Sequence, residues 1–187
     1  MERLTRGLVL AAALAVGAAW VLSGVAPVRA GAGAGPERAV AVLRPVGNSG
    51  VSGTIYFVRQ ENAIEVTGTI RGLTPGMHGF HVHQFGDLTD PAEGLSAGGH
   101  YNPTQMPHGR PESARRHVGD LGNVTANAQG VATLNMRDRV IRLSGPHAIL
   151  GRALVVHSEA DKFTQPSGDS GARVAFGVIG IAEPAGK

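Results

Sequence analysis

The chain has 187 residues, 42% of them hydrophobic and 17% charged, which suits one globular domain plus a short additional segment. Its formal net charge of +3 belongs largely to the first 30 residues, where Arg3, Arg6 and Arg29 outweigh Glu2. The remainder is nearly neutral and has only 5 Phe, 2 Tyr and 1 Trp, so no basic, aromatic-studded surface is available and nucleic acid is not expected as a partner.

Residues 1–30 read as a signal peptide. Arg3 and Arg6 supply a positive start, Leu8 to Leu22 an apolar stretch, and Val28-Arg-Ala30 a small-residue cleavage point. The alternative is an uncleaved anchor, because Gly7 to Val28 carries no charge and is long enough to span a bilayer. Export to the periplasm, cell envelope or medium is expected, with the membrane as a partner only if the leader stays attached. Residues 31–38, opening Gly31-Ala-Gly-Ala-Gly-Pro36, read as a flexible tether. Residues 39–182 read as the folded domain and 183–187 as a tail.

From Ala39 onward apolar residues alternate over short runs: Val40 and Val42; Ile55 and Phe57; Ile64, Val66 and Ile70, with Gln60-Glu-Asn62 as a hairpin turn. Leu73-Thr-Pro-Gly76 is a turn signal leading into Phe80-His-Val-His-Gln-Phe85. Further runs cover Leu121 to Thr125, Val131 to Met136, Val140 to Leu143, Ala153 to His157 and Arg173 to Ile181. About eight short strands without an amphipathic helix predict an all-β fold, an antiparallel sandwich or flattened barrel. Phe80 and Phe85 are expected in its core.

Six of the chain's 8 His lie between Gly76 and Asp120, and His157 follows later. Neutral imidazole is the commonest protein ligand for borderline metals. His81 and His83 sit two apart in a β-prone run, so both rings point to one face while Val82 points to the other. His100, His108, His117 and Asp120 fall on a long glycine- and proline-rich loop, a kind of segment that is usually functional or disordered. His78 is out of step with His81 and reads as a hydrogen-bonded structural residue; His147 reads as exposed in a turn.

His78-Gly-Phe-His81-Val-His83, Gly86-Asp87, Ser96-Ala-Gly, His100-Tyr-Asn-Pro, His108-Gly, Arg116-His-Val-Gly-Asp-Leu-Gly-Asn-Val124, Gly151-Arg, Val155-Val-His157 and Gly177-Val-Ile-Gly-Ile-Ala182 resemble, in order, the copper/zinc superoxide dismutases. The resemblance spans about residues 39 to 182. It implies an eight-stranded Greek-key sandwich with long metal-binding loops. It also implies a superoxide dismutase that makes oxygen and hydrogen peroxide from superoxide by Cu(II)/Cu(I) cycling beside a structural zinc.

Carried over residue by residue, the resemblance makes His81, His83, His100 and His157 the copper ligands and His100, His108, His117 and Asp120 the zinc ligands. Four imidazoles suit Cu(II), and three imidazoles with a carboxylate close a tetrahedron round zinc. The shared His100 is expected to pass a proton to product. Asp161 is expected to link His81 to His108, and Arg173 to attract the anionic substrate. The runner-up is a copper- and zinc-binding storage or carrier protein without turnover, which would not require Arg173 or Asp161. A homodimer is possible by the same resemblance.

Two features depart from the family pattern. The chain has 0 Cys, so the disulfide that normally ties the long loop to the last strand is missing; the matching positions are Gly94 or Leu95 and Phe176. Apolar packing of Phe176 near Leu95 is expected in its place. The link from Asp161 to Arg173 is short, with Gln165-Pro-Ser-Gly168 similar to the exported bacterial forms.

Overall fold

The computed structural model describes residues 35–184. The leader or anchor over residues 1–30 and most of the tail lie outside the described residues, as do positions 31–34 of the tether. Among the described residues no helix is long and apolar enough to cross a membrane.

Alternation places the first half of the domain. In β1 (Arg38–Pro45) Ala39, Ala41 and Leu43 are buried while Val42 faces out. β2 (Ser52–Gln60) turns Ile55 and Phe57 inward, and β3 (Ala63–Arg71) does the same with Ile64, Val66 and Ile70. The β2–β3 hairpin closes through Glu61-Asn62, with Gln60 opposite Ala63. Gly68, at φ 153°, faces Ile55, where a β-carbon would collide with Thr54 and Ile55; a side chain there would displace a core isoleucine.

β4 (Gly76–Val82), β5 (Asp120–Ala126), β6 (Ala132–Asp138), β7 (Ala153–His157) and β8 (Arg173–Ile181) complete an all-antiparallel sheet ordered β5-β4-β7-β8-β1-β2-β3-β6. The end strands β5 and β6 contact one another, so the eight strands form a nearly closed flattened barrel. Non-sequential neighbours, β3 beside β6 and β4 beside β7, give it Greek-key character.

Most buried apolar residues form one interior cluster that includes Phe57, Phe80, Leu154 and Val156. A smaller cluster, Val46, Ala97, Ala153, Val155 and Phe176, lies under the loop that follows β4. β7 is therefore covered on both faces, which is why Ala-Leu-Val-Val lacks a polar alternation. With Phe80 on its core side and His81 in register with both Asp120 and Val155, β4 carries the site between two well-anchored strands.

Three expectations differ from the structure. Val140 to Leu143 is not a strand: Asp138 Oδ1 accepts the Val140 and Ile141 amides at 2.7 and 2.8 Å and turns the chain, leaving Ile141 and Leu143 buried. Phe85 is 51% exposed: strand alternation gives it the parity of His81 and His83 rather than that of Phe80 and Val82, and β4 has already ended at Val82. His147 is half-buried, its Nδ1 lying 3.3 Å from the Val140 carbonyl.

Candidate metal centre

Each histidine here can be followed by asking which of its two nitrogens is already used. His83 and His157 both turn Nδ1 to a backbone carbonyl, of Gly98 at 2.9 Å and Gly171 at 3.3 Å. A carbonyl only accepts, so each Nδ1 carries the proton and each Nε2 presents a lone pair. Those two Nε2 atoms face each other at 3.4 Å. Two buried lone pairs at that distance repel unless a cation lies between them. His81 uses the other nitrogen: its Nε2 donates to Asp161 Oδ2 at 2.9 Å, and Nδ1 is buried without a partner. With His100, whose ring centroid is 4.0 Å from that of His81, these three form a group whose ligand atoms lie within 4.8 Å of one another.

The second group is His100, His108, His117 and Asp120. Asp120 begins β5, fully buried, and its carboxylate is fixed by the Gly109 and His117 amides at 3.0 and 2.9 Å. Its oxygens stand 2.9 Å from His100 Nδ1, 3.0 Å from His108 Nδ1 and 3.1 Å from His117 Nδ1. The last two nitrogens are nonetheless without a hydrogen-bond partner: they are close to the carboxylate but not aimed along an N–H bond. Nitrogens and oxygen converge on a common point, the arrangement of ligands around an ion.

Burial pushes the Asp120 carboxyl upward, but the three imidazoles outweigh it and hold it far below the usual carboxylate range. Burial lowers His100 to about 4 and His157 to about 3, helped in both by neighbouring imidazoles. It also lowers His83 and His81. These rings are neutral at neutral pH and available as ligands. His108 goes the other way, to about 9: burial opposes protonation, but Asp120 and Asp161 prevail.

Asp161 joins the two groups. One oxygen accepts from His81 Nε2, and both lie 3.0 Å from His108 Nε2, so a single carboxylate fixes the tautomer and direction of one ring from each. Asn123 holds its backbone at both ends, accepting the Asp161 amide at 2.7 Å and donating to its carbonyl at 3.1 Å. Gln165 does the same for His108, at 3.0 and 2.9 Å.

His83, His100 and His157 open onto a cleft of about 530 Å³ that Arg173 also lines. The guanidinium is half-buried and donates to the carbonyls of Gly94 and, at 2.6 Å, Gly98. Gly98 O thus holds both Arg173 and His83. Gly98 has φ 74° and packs against Phe85, where a β-carbon would come within 2.8 Å of the ring.

The profile of copper/zinc superoxide dismutase matches residues 51–179. The chain belongs to this family. An extracellular superoxide dismutase [Cu-Zn] of Onchocerca volvulus is 46% identical over 162 residues, 80% of this chain and 79% of that protein. The Brugia pahangi protein of the same name is 44% identical over 154 residues, 77% of this chain and 76% of its own. Superoxide dismutase [Cu-Zn] 2 of Mesembryanthemum crystallinum is 46% identical over 155 residues, covering 79% and 97%. Among solved structures, that of the clock protein EA4 superposes with a TM-score of 0.72 at 44% identity, over 79% of this chain and 96% of that one.

For a superoxide dismutase without cysteine, the loop after β4 is tied down by other means. Phe176 is fully buried and shares its cluster with Ala97, with Leu88 packed against it. The Arg44 guanidinium lies 5.1 Å from its ring and donates to Leu88 O at 3.0 Å. The expected partner Leu95 is instead 60% exposed, because it opens a 3-10 turn whose inward residue is Ala97. His78 is buried as a structural residue, its ring nitrogens 2.8 Å from the carbonyls of His157 and Thr74.

Sequence reasoning passed over Asn123, Gln165, Gly98 and the buried Arg116–Asp138 ion pair. Arg116 also donates to Asp120 O at 2.5 Å, bracing the loop from inside. Asn123, Gly98 and Arg116 lie within stretches that carried the family resemblance, and Gln165 within the stretch set beside the exported bacterial forms, but no sequence signal gave any of them its partner.

Proposed function

We propose that this chain dismutates superoxide to oxygen and hydrogen peroxide, with copper held by His81, His83, His100 and His157 and zinc by His100, His108, His117 and Asp120. The observation that carries the assignment is the pair of facing Nε2 atoms of His83 and His157, 3.4 Å apart with both Nδ1 atoms spent on carbonyls. Bare buried nitrogens on His81, His108 and His117 support it. Four imidazoles fit copper, and three imidazoles with a carboxylate fit a closed, structural zinc site. When bound, copper supplies the electron exchange, accepting one electron from a first superoxide and giving one to a second.

The chain's own residues supply the rest. Arg173 places a fixed positive charge in the cleft beside His83 and His157, where it draws in a small anion and aligns it. His100 Nδ1 is committed to the Asp120 side, which leaves Nε2 to hold and release the proton that product requires. Asp161 keeps His81 and His108 in the tautomers that direct their Nδ1 atoms inward.

The test measures bound metals and superoxide consumption by the wild type, His157→Ala and Arg173→Ala. Wild type should carry both metals and turn over, His157→Ala should lose copper and activity, and Arg173→Ala should keep copper but slow. A copper-loaded wild type without turnover would leave a storage protein instead.

We further infer export, with residues 1–30 as a cleaved signal peptide, 31–38 as a tether whose last residue, Arg38, already opens β1, 39–182 as the catalytic domain and 183–187 as a tail. The extracellular relatives support export, and the Gln165 to Gly168 stretch supports a place beside the exported bacterial forms. N-terminal sequencing of the secreted protein would separate cleavage from anchoring through residues 7–28. A homodimer is supported by Val42 and Val178, 65% and 39% exposed on neighbouring strands. Sedimentation of the wild type and Val178→Glu would decide it.

A further inference from the structure

On the side of the centre away from the cleft, the Gly168 backbone packs against His108 Nε2 and Asp161 Oδ1, and one aromatic ring lies beside them. Phe163 follows Asp161 by two residues and has φ 58°, a left-handed conformation rare for a bulky side chain. Its amide donates to Asp161 Oδ1 at 2.7 Å. Its ring lies almost parallel to that of His108, with centroids 6.1 Å apart and planes 15° apart. The Arg110 guanidinium stands 4.0 Å from the Phe163 ring centroid. Outside is a second cleft, about 490 Å³, lined by Met77, Arg110, Leu121, Asn123, Asp161 and Phe163.

The His108 backbone is clamped on both sides by Gln165, and the Asp161 backbone by Asn123. Neither can yield without breaking two hydrogen bonds. Phe163 is held in a backbone state it would leave if released, and it has open space beside it. The covering element most ready to move is therefore this ring.

We propose that Phe163, clamped by Arg110, is the cover over the His108–Asp161 side of the centre, and that its swing into the second cleft sets the rate at which zinc leaves. The inference rests on the zinc assignment to His100, His108, His117 and Asp120. It makes Phe163 and Arg110 positioning residues that act on exchange of the ion rather than on turnover.

The test loads the full protein with copper and zinc, then follows zinc transfer to an excess of chromogenic chelator and copper transfer to a copper-selective one. Wild type, Phe163→Ala, Phe163→Leu and Arg110→Gln are compared. Phe163→Ala should speed zinc release by about tenfold or more, and Arg110→Gln by about threefold. Phe163→Leu, which keeps apolar bulk and guards against a folding failure of the alanine variant, should fall between wild type and alanine. Copper release, followed separately in protein that still holds its zinc, should not change. Zinc release at the wild-type rate in both Phe163 variants would overturn the proposal, as would equal acceleration of both metals, which marks general loosening. A wild type that takes up no zinc would overturn the metal assignment and this inference with it.

Discussion

Truncating Phe176 to alanine tests how a loop without a disulfide is kept in place. The ring is fully buried among Val46, Ala97, Ala153 and Val155, with Leu88 packed against this cluster, and the Arg44 guanidinium lies 5.1 Å away. Removing a buried Phe costs about 3–5 kcal/mol, at least the size of the roughly 2–4 kcal/mol a native disulfide contributes. At about 2–4 °C per kcal/mol for a domain of this size, the melting temperature should fall by about 6–20 °C. The loss should be local in its consequences. Ala97 sits next to Gly98, whose carbonyl orients both His83 and Arg173, so copper occupancy should fall further than zinc occupancy. Calorimetry of the metal-free protein and metal content of the loaded protein measure the two effects. A Phe176→Ala protein that melts within about 2 °C of wild type and retains its copper would refute the idea that this ring anchors the loop.

Asp161→Ala should weaken binding of both metals by about 10–100-fold in equilibrium dialysis, because the carboxylate holds a ring in each group. Arg173→Ala should slow superoxide consumption by about tenfold or more and flatten its decline with added salt. Asp138→Ala should destabilise the fold by about 3–5 kcal/mol in denaturant titration, since it strands the buried Arg116 guanidinium. In the metal-free protein, the depressed pKa values of His83, His100 and His157, the latter two at about 4 and 3 against 6.5, add stability above pH 6.5 that is lost as the pH falls through those values. His108, raised to about 9, contributes fully below 6.5 and loses its share as the pH rises through 9; the melting temperature should therefore drop steeply from pH 6.5 towards 3 and more gently on the alkaline side.

The barrel and the clustering of the histidines were readable because each leaves a periodic or compositional trace. Ile55 with Phe57, and Ile64 with Val66, alternate cleanly since one face of each strand meets the core. His81 and His83 lie two apart because one strand face builds the wall of the site. What failed to show was whatever depends on a partner distant in sequence. Val140 to Leu143 looks like a strand, yet Asp138 takes its amides and packs it as a plug. Phe85 looks like core by its ring alone, but it shares the parity of His81 and His83 rather than that of Phe80, and pairing has already ended. Gln165 is an ordinary polar loop residue by sequence, and only the meeting of two loops 57 residues apart makes it a clamp on His108.

The two groups are built so that neither is independent of the other. His100 belongs to both, and Asp161 fixes His81 for one and His108 for the other. An ion held by His108, as proposed above, would orient that ring and, through Asp161, favour the His81 tautomer whose Nδ1 faces the first group. It would also set His100, whose Nδ1 lies on the Asp120 side. His81 and His100, half of the first group, would thus be arranged before its own ion arrived. Binding at either group must strengthen binding at the other by the same factor, and Asp161→Ala should shrink that factor as well as each affinity, because it cuts one of the two physical links and leaves only the ring of His100.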